Sequence, residues 1–260
     1  MSRNSLKYIS NAGVMLQIGG RKILFDPLTI PENEIYKDTD PLAREGLLAS
    51  TPPYDGVDLV LITHHHRDHF HAESVLALLK QQPGASLVST GEVIRRIKAL
   101  DEEDQISESR LYAPELGMYE QVEITVNGIR LRLSRTLHDG EDYAEVENLM
   151  IMVEGDLRIA HLGDSAPVEK NFEGLQGCFG GPIDLLIANF PYVALPKARK
   201  LIQTCLDPRL LAVVHFPDPE KPAASWTVVA KKSFDRVKAN YLPTVLLERL
   251  GETIALPSKK

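Results

Sequence analysis

The 260-residue chain carries 29 Lys and Arg against 36 Asp and Glu, a formal charge of −7. That sign argues against a broad grip on nucleic acid, which needs a basic face to neutralise phosphates. A hydrophobic content of 43% suffices for a sizeable core in one domain spanning 1–260, and no stretch approaches the ~20 apolar residues that cross a bilayer.

In chain order, Met1-Ser2-Arg3-Asn4-Ser5 leads into a strand pattern without an apolar export segment. Strands are predicted over about 6–26, ending in Asp26-Pro27. Residues 27–56 form a long connection framed by Pro31, Pro41, Pro52 and Pro53, with a helical pattern over Pro41–Leu48. The run Val57-Asp58-Leu59-Val60-Leu61-Ile62 is apolar and β-branched and reads as a buried strand. It ends in Thr63-His64-His65-His66-Arg67-Asp68-His69, and a helix is predicted from the spacing of Ser74, Val75, Leu76, Leu78 and Leu79. Strand and helix alternate to about 100, strands fill about 110–162, and alternation resumes from Asp184. Residues 20–26 and 57–62 echo 155–160 and 183–188, as two half-domains that each carry a sheet would.

The heptapeptide places four potential metal ligands on one turn. His64 and His66 are two apart, so at a strand end they point to the same side and can reach one ion through neutral imidazole nitrogens. Asp68 and His69 lie past the strand end and can serve a second ion. A solvated charged turn is the bland alternative, outweighed by four ligands in this order after an apolar strand. His65 should point away from its neighbours, and His71 should open the next helix. Five of the eight histidines fall in 64–71, and the other three, His138, His161 and His215, each sit near the end of a predicted strand. Active sites are commonly built this way, from several strand ends at one sheet edge. The two cysteines, Cys178 and Cys205, give no disulfide framework, fit a reducing cytoplasm and are not expected to bind metal. The basic clusters at Lys197, Arg199 and Lys200 and at Lys231, Lys232, Arg236 and Lys238 read as solvated helix faces.

The order His-x-His-x-Asp-His, a lone His, Gly-Asp and a further lone His resembles the metallo-β-lactamase superfamily of metal-dependent hydrolases. The likeness covers nearly the whole chain. The length and the Asp26-Pro27 turn look most like its ascorbate-6-phosphate lactonase-like branch. Phe190-Pro191-Tyr192 departs from that branch's Gly-rich turn, which argues against a lactonase acting on a sugar phosphate.

The resemblance implies an α/β fold, a four-layer αββα sandwich, with a dinuclear site. One ion would take His64, His66 and His138, the other Asp68, His69 and His215, with Asp164 bridging. Nitrogen and carboxylate donors suit two divalent ions, zinc first and manganese or iron after it. Water activated to hydroxide between the ions would cleave an ester, lactone or phosphoester of a small molecule, and Asp68 would take a proton or orient the nucleophile. A phosphodiesterase or nuclease of the same fold, or a non-catalytic metal-binding sensor, are the competing readings. Asp26 and His161 are candidates to support the ligands, Thr63 to brace the turn, and Tyr192 and Phe216 to contact substrate at the rim. The sequence sets no oligomeric state.

Overall fold

The computed structural model of the protein describes residues 4–30, 35–174 and 182–257. Among these, the strands are β1 (Ser5–Tyr8), β2 (Val14–Ile18), β3 (Arg21–Phe25), β4 (Leu59–Leu61), β5 (Ser86–Val88), β6 (Leu111–Tyr112), β7 (Gln121–Val126), β8 (Ile129–Thr136), β9 (Asn148–Glu154), β10 (Arg158–His161), β11 (Leu185–Asn189), β12 (Leu211–Val214), β13 (Thr244–Leu246) and β14 (Thr253–Ala255). The α-helices are α1 (Pro41–Ala49), α2 (Ala72–Gln81), α3 (Gly91–Leu100), α4 (Pro191–Ala194), α5 (Pro196–Leu201) and α6 (Ala224–Asp235).

The strands form two seven-stranded mixed sheets, ordered β14-β1-β2-β3-β4-β5-β6 and β13-β12-β11-β10-β9-β8-β7. Alternation along each central strand explains the layering. Leu59 and Leu61 of β4, Leu185 and Ile187 of β11, and Ala212 and Val214 of β12 join Leu6, Leu16 and Phe25 in one core between the sheets. Val60 faces the other way, onto Leu47, Val75, Leu79 and Ile97 of the first helix layer. Leu186 and Val213 likewise meet Ile202 and Phe234 on the far side of the second sheet. Covering both faces is why these strands read as continuous apolar runs, and each fully buried Leu or Val contributes about 1.5–3 kcal/mol. The result is the α/β-layered αββα arrangement.

The internal echo is structural. In each half an antiparallel hairpin feeds a parallel pair: β2-β3-β4 in one, β9-β10-β11 in the other. Asp58 Oδ2 accepts from the Lys22 backbone N–H at 2.8 Å while Arg21 pairs with Oδ1 at 2.7 Å. Asp184 repeats the clamp, accepting from the Arg158 N–H at 2.9 Å and pairing with Arg209 at 2.9 Å. The halves part company after the clamped strands. β4 runs into the histidine turn, whereas β11 runs into Pro191, which starts the short helix α4.

That helix corrects one rim assignment. Tyr192 is fully buried and donates its hydroxyl to the Ser165 carbonyl at 2.9 Å, so it is a core residue holding the Asp164 segment. Phe216 is also buried, stacked behind Phe190, and does not line the metal pocket. Arg199 corrects the reading of its basic cluster as a solvated face. It is buried and donates to the carbonyls of Val193 and Ala194 and to Ser233 Oγ, tying α4 and α5 to α6. Cys205 is a free, partly exposed thiol, and Cys178 lies outside the described residues. Among the described residues no helix is long and apolar enough to cross a membrane.

Candidate metal centre

Four strand ends of the two sheets converge at one edge. After β4 the chain turns through 63–69, closed by Phe70 N–H donating to the His66 carbonyl at 2.8 Å, and Phe70 is buried in the outer core as the anchor before α2. Past β8, His138 pairs with Ser165 in an isolated bridge, and the Asp139 N–H donates to the Asp164 carbonyl at 2.7 Å. The end of β10 supplies Gly163-Asp164, and the end of β12 supplies His215, whose N–H donates to the Asn11 carbonyl at 2.9 Å.

Two glycines make this convergence possible. A Cβ on Gly163, which sits at φ +55°, would lie 2.4 Å from Asn148 Oδ1 and 2.8 Å from Thr63 Cβ. A Cβ on Gly13 would lie 2.2 Å from the Asp26 carbonyl oxygen. Neither position can carry a side chain without displacing a residue that holds the site.

The structure brings His64, His66, Asp68, His69, His138, Asp164 and His215 together. Donor atoms of His64, His66 and His138 lie within 4.8 Å of one another, as do those of Asp68, His69 and His215, and those of His64, His69 and Asp164 at the junction. His64 Nε2 is 3.2 Å from His66 Nδ1 and 3.4 Å from His138 Nε2. In the second group His215 Nε2 is 3.0 Å from His69 Nε2 and 3.2 Å from Asp68 Oδ2. Asp164 lies between the groups: Oδ1 is 3.2 Å from His69 Nε2, and Oδ2 is 3.7 Å from His138 Nε2 and 3.6 Å from His215 Nε2. Donors about 2.0–2.2 Å from a tetrahedral ion stand roughly 3.4 Å apart, which is the spacing seen here.

Hydrogen-bond bookkeeping gives an independent test of whether cations fit. Asp26 Oδ2, fully buried, accepts from Thr63 Oγ1 and from His69 Nδ1, each at 2.8 Å, and Oδ1 accepts from the Thr63 N–H at 2.8 Å. Since the Thr63 hydroxyl hydrogen is used, His64 Nδ1 must donate to Thr63 Oγ1 at 3.0 Å. His138 Nδ1 donates to the Asp139 carbonyl at 2.6 Å. These tautomers, assigned from the partners, point the Nε2 lone pairs of His64 and His138 at each other across 3.4 Å, with His66 Nδ1 beside the first at 3.2 Å. A cation between them relieves that contact, so the donor set fits the divalent ions that the sequence reading expects.

Charge reinforces the fit. Burial pushes His64 well below its ordinary value, with His69 adding to it, and burial with His138 nearby brings His66 down to about 4. Both are therefore neutral ligands at neutral pH. On His69 burial acts downward, but Asp164, Asp26 and Asp68 override it and hold the imidazole well above its usual range. Burial opposes charge on Asp164, yet His69 and His215 keep its carboxyl well below the usual carboxylate value. If His69 is protonated at neutral pH, as that direction implies, a cation taking its Nε2 must displace a proton. We expect zinc titrated into chelator-stripped protein at pH 7 to release about one proton per chain, read by calorimetry in buffers of different ionisation enthalpy. Apparent metal affinity should rise as pH climbs through the raised His69 value, where that proton leaves of its own accord. Proton-independent uptake would contradict the assignment.

Residues 5–191 match the β-lactamase superfamily domain. The chain belongs to the metallo-β-lactamase superfamily. A metal-dependent hydrolase of Sulfolobus acidocaldarius is 27% identical over 212 residues, covering 81% of this chain and 83% of the relative. Among solved structures, a metallo hydrolase of Ignicoccus hospitalis superposes with a TM-score of 0.66 at 17% identity, covering 99% of this chain and all of that one. The isothiocyanate hydrolase from Delia radicum gut bacteria gives 0.64 at 18%, covering 98% of this chain and all of that one. The protein is a metal-dependent hydrolase of this superfamily. The ascorbate-6-phosphate lactonase-like branch finds no separate support in these likenesses.

Around the seven gathered donor residues, Asp26 and Thr63 make the hydrogen bonds just described. His161 is buried, donates through Nε2 to the Ala12 carbonyl at 2.9 Å, accepts the Gly163 N–H at 2.9 Å and stacks on Phe25. It steadies the turn that presents Asp164. His65 is half-buried outside the donor groups, and His71 stands at the N-cap position of α2 without a side-chain cap bond, its Nδ1 2.8 Å from Ser74 Oγ. Sequence reasoning missed three asparagines. Asn148 is fully buried; its Nδ2 donates to Thr136, Leu162 and Ser165, and its Oδ1 accepts the Asp164 N–H at 2.9 Å. Asn11 Nδ2 lies 3.3 Å from Asp68 Oδ2, and Asn189 Nδ2 lies 3.3 Å from Asp164 Oδ1. Two aromatics were missed as well. The Tyr36 ring meets His215 edge-on at 4.2 Å, and Tyr143 meets His66 at 5.0 Å.

Proposed function

We propose that the protein hydrolyses a neutral carboxylic ester or lactone of a small molecule at two divalent cations, zinc by preference. His64, His66 and His138 would hold one, Asp68, His69 and His215 the other, with Asp164 shared. The observation that carries the substrate class is the pocket over these donors. It encloses about 330 Å³ and is lined beyond the candidate ligands by Ile35, Tyr36, Tyr143, Phe190, Pro191 and Trp226, with Asp139 and Asn189 as the polar additions and no Lys or Arg among the described lining residues. The two cations would themselves hold a phosphoryl oxygen, but no cationic side chain among the described lining residues is placed to hold the flanking phosphates of a nucleic acid, which weighs most against the nuclease reading. Apolar and aromatic walls with few polar groups suit a neutral acyl compound of modest size.

Bound divalent cations supply Lewis acidity and lower the pKa of a water towards neutrality. The chain's own groups do the rest. Burial, with Asp164 and Asp68 nearby, keeps the Tyr36 phenol protonated, so it can donate a hydrogen bond to oxygen charge developing on the substrate. Burial would raise Asp68, but His215 and His69 hold it below the ordinary carboxylate value. It remains ionised and can orient a water or take its proton. Ile35, Phe190 and Trp226 give the pocket apolar wall on one side. Zinc is preferred because the donor set is all nitrogen and oxygen, with no thiolate and spacing suited to tetrahedral coordination.

The test is turnover of matched probes by the zinc- and manganese-loaded protein. p-Nitrophenyl acetate and γ-butyrolactone should be cleaved with kcat/KM at least a hundredfold above bis(p-nitrophenyl) phosphate. Preference for the phosphodiester would overturn the acyl reading. Stoichiometric metal with no turnover across the panel would favour the sensor.

A further inference from the structure

The wall of the metal pocket has a second face. Tyr36, His215 and Trp226 line the metal pocket, while their chain neighbours Lys37, Phe216 and Thr227 line a separate cavity of about 420 Å³. His215 sits at φ +64°, and the two sides of the wall diverge at its junction with Phe216. The cavity is largely apolar, with Phe216, Pro217, Pro219, Ala224 and Val228 among its lining.

Two polar groups in it are under-satisfied. Lys37 is only 7% exposed, and its Nζ finds one acceptor, the Phe216 carbonyl at 3.3 Å, with the Tyr8 ring 5.8 Å away. No carboxylate of the described residues lies within ion-pair distance of it. The Thr227 Oγ1 is buried with no hydrogen-bond partner. A buried ammonium has three donors to satisfy, and leaving them unmet is costly. Burial pushes the Lys37 ammonium down, opposed at longer range by Asp218 and Glu248. The other charges lining the cavity are Lys231, paired with Glu248 at 2.8 Å, and Lys232 and Asp235. The lining cations thus exceed the lining anions by one.

We propose that this cavity binds a small amphipathic carboxylate, its head at Lys37 and Thr227 and its chain against Phe216, Pro219 and Val228. One negative charge balances the lining, a carboxylate accepts from the Lys37 ammonium and, after a χ1 rotation that turns the shielded hydroxyl inward, from Thr227, and the apolar walls bury a short alkyl chain. The cavity lies outside the metal donors, so its occupancy does not depend on the hydrolytic reading.

Trp226 is the only tryptophan of the chain and adjoins Thr227, so its fluorescence reports on the wall. Octanoate titrated into the full chain should give a saturable change that persists after EDTA, with octanol and octylamine at least tenfold weaker. Lys37→Gln should weaken octanoate at least tenfold and Lys37→Arg should largely retain it. Thr227→Val, which keeps the side-chain shape, should weaken binding about threefold or more at unchanged melting temperature, and it carries the test if the lysine variant fails to fold. Binding lost on chelation would assign the carboxylate to the metal donors instead. Equal binding of octanol, or no saturation, would equally overturn the proposal.

Discussion

Replacing Asp164 with alanine is expected to remove at least half of the bound metal and to lower turnover about 10³-fold or more, while the fold survives. Among the described residues the carboxylate is the one acidic group within reach of donors from both groups, facing His69 through Oδ1 and His138 and His215 through Oδ2. Without it, two neighbouring cations lose the negative charge that lets them share a site. The backbone keeps its anchor, because Asn148 holds the residue 164 N–H and Asn148 itself has three further partners. Metal analysis, circular dichroism and turnover of the ester probe together check this. Wild-type metal content and rate in the variant would refute the shared-ligand role.

Asp26 acts a layer further out, and its loss should register in stability as well as in metal affinity. Alanine there strips the acceptor from three buried donors at once: Thr63 N–H, Thr63 Oγ1 and His69 Nδ1. Each buried donor left unmet costs about 1–3 kcal/mol, so a loss of at least about 3 kcal/mol is expected. Metal affinity should fall 10–100-fold, because His69 loses the partner that fixes its ring and tautomer. Asp26→Asn should be milder, since asparagine tolerates the φ of +39° there and retains one acceptor oxygen. Thermal melts and competitive zinc titrations of both variants read the two effects separately. Equal behaviour of alanine, asparagine and wild type would show that Asp26 merely fills a turn.

The candidate ligands were legible because metal chemistry leaves a spacing. His64, His66, Asp68 and His69 crowd one strand end; His138 follows an alternating strand, Asp164 a short strand ending in Gly-Asp, and His215 a continuous apolar run buried on both faces. The layers were legible for the same reason. What supports the ligands leaves no such trace. Asn148, Asn11 and Asn189 are single polar residues beside strands, and only tertiary contact shows that they grip the Asp164 and Asp68 segments. The rim misled in a definite way. Tyr192 and Phe216 stand in proline-bearing segments that read as open loops, yet Pro191 opens a helix that buries the tyrosine, and Phe216 packs behind Phe190. Of the aromatics that do line the pocket, Tyr36 and Tyr143 come from connections whose course no periodicity describes, and Trp226 from the exposed start of α6. Arg199 was misread because a buried guanidinium serving carbonyls looks, one residue at a time, like any charge on an exposed helix.

The order of the strands bears on how the molecule is made. β14 leaves the second sheet's neighbourhood after β13 and returns to lie against β1, with Ser5 opposite Ala255 and Lys7 opposite Thr253. A chain emerging from the ribosome therefore leaves the outer edge of β1 unpaired until β14 has been made. An unpaired edge is an invitation to foreign strands. Contacts between distant parts of a chain also form slowly, because the intervening loop must first be closed. The histidine turn and its Asp26 brace, by contrast, lie within the first third of the sequence. Half of the metal-gripping machinery can thus be in place on a nascent chain whose first sheet is still open on one side.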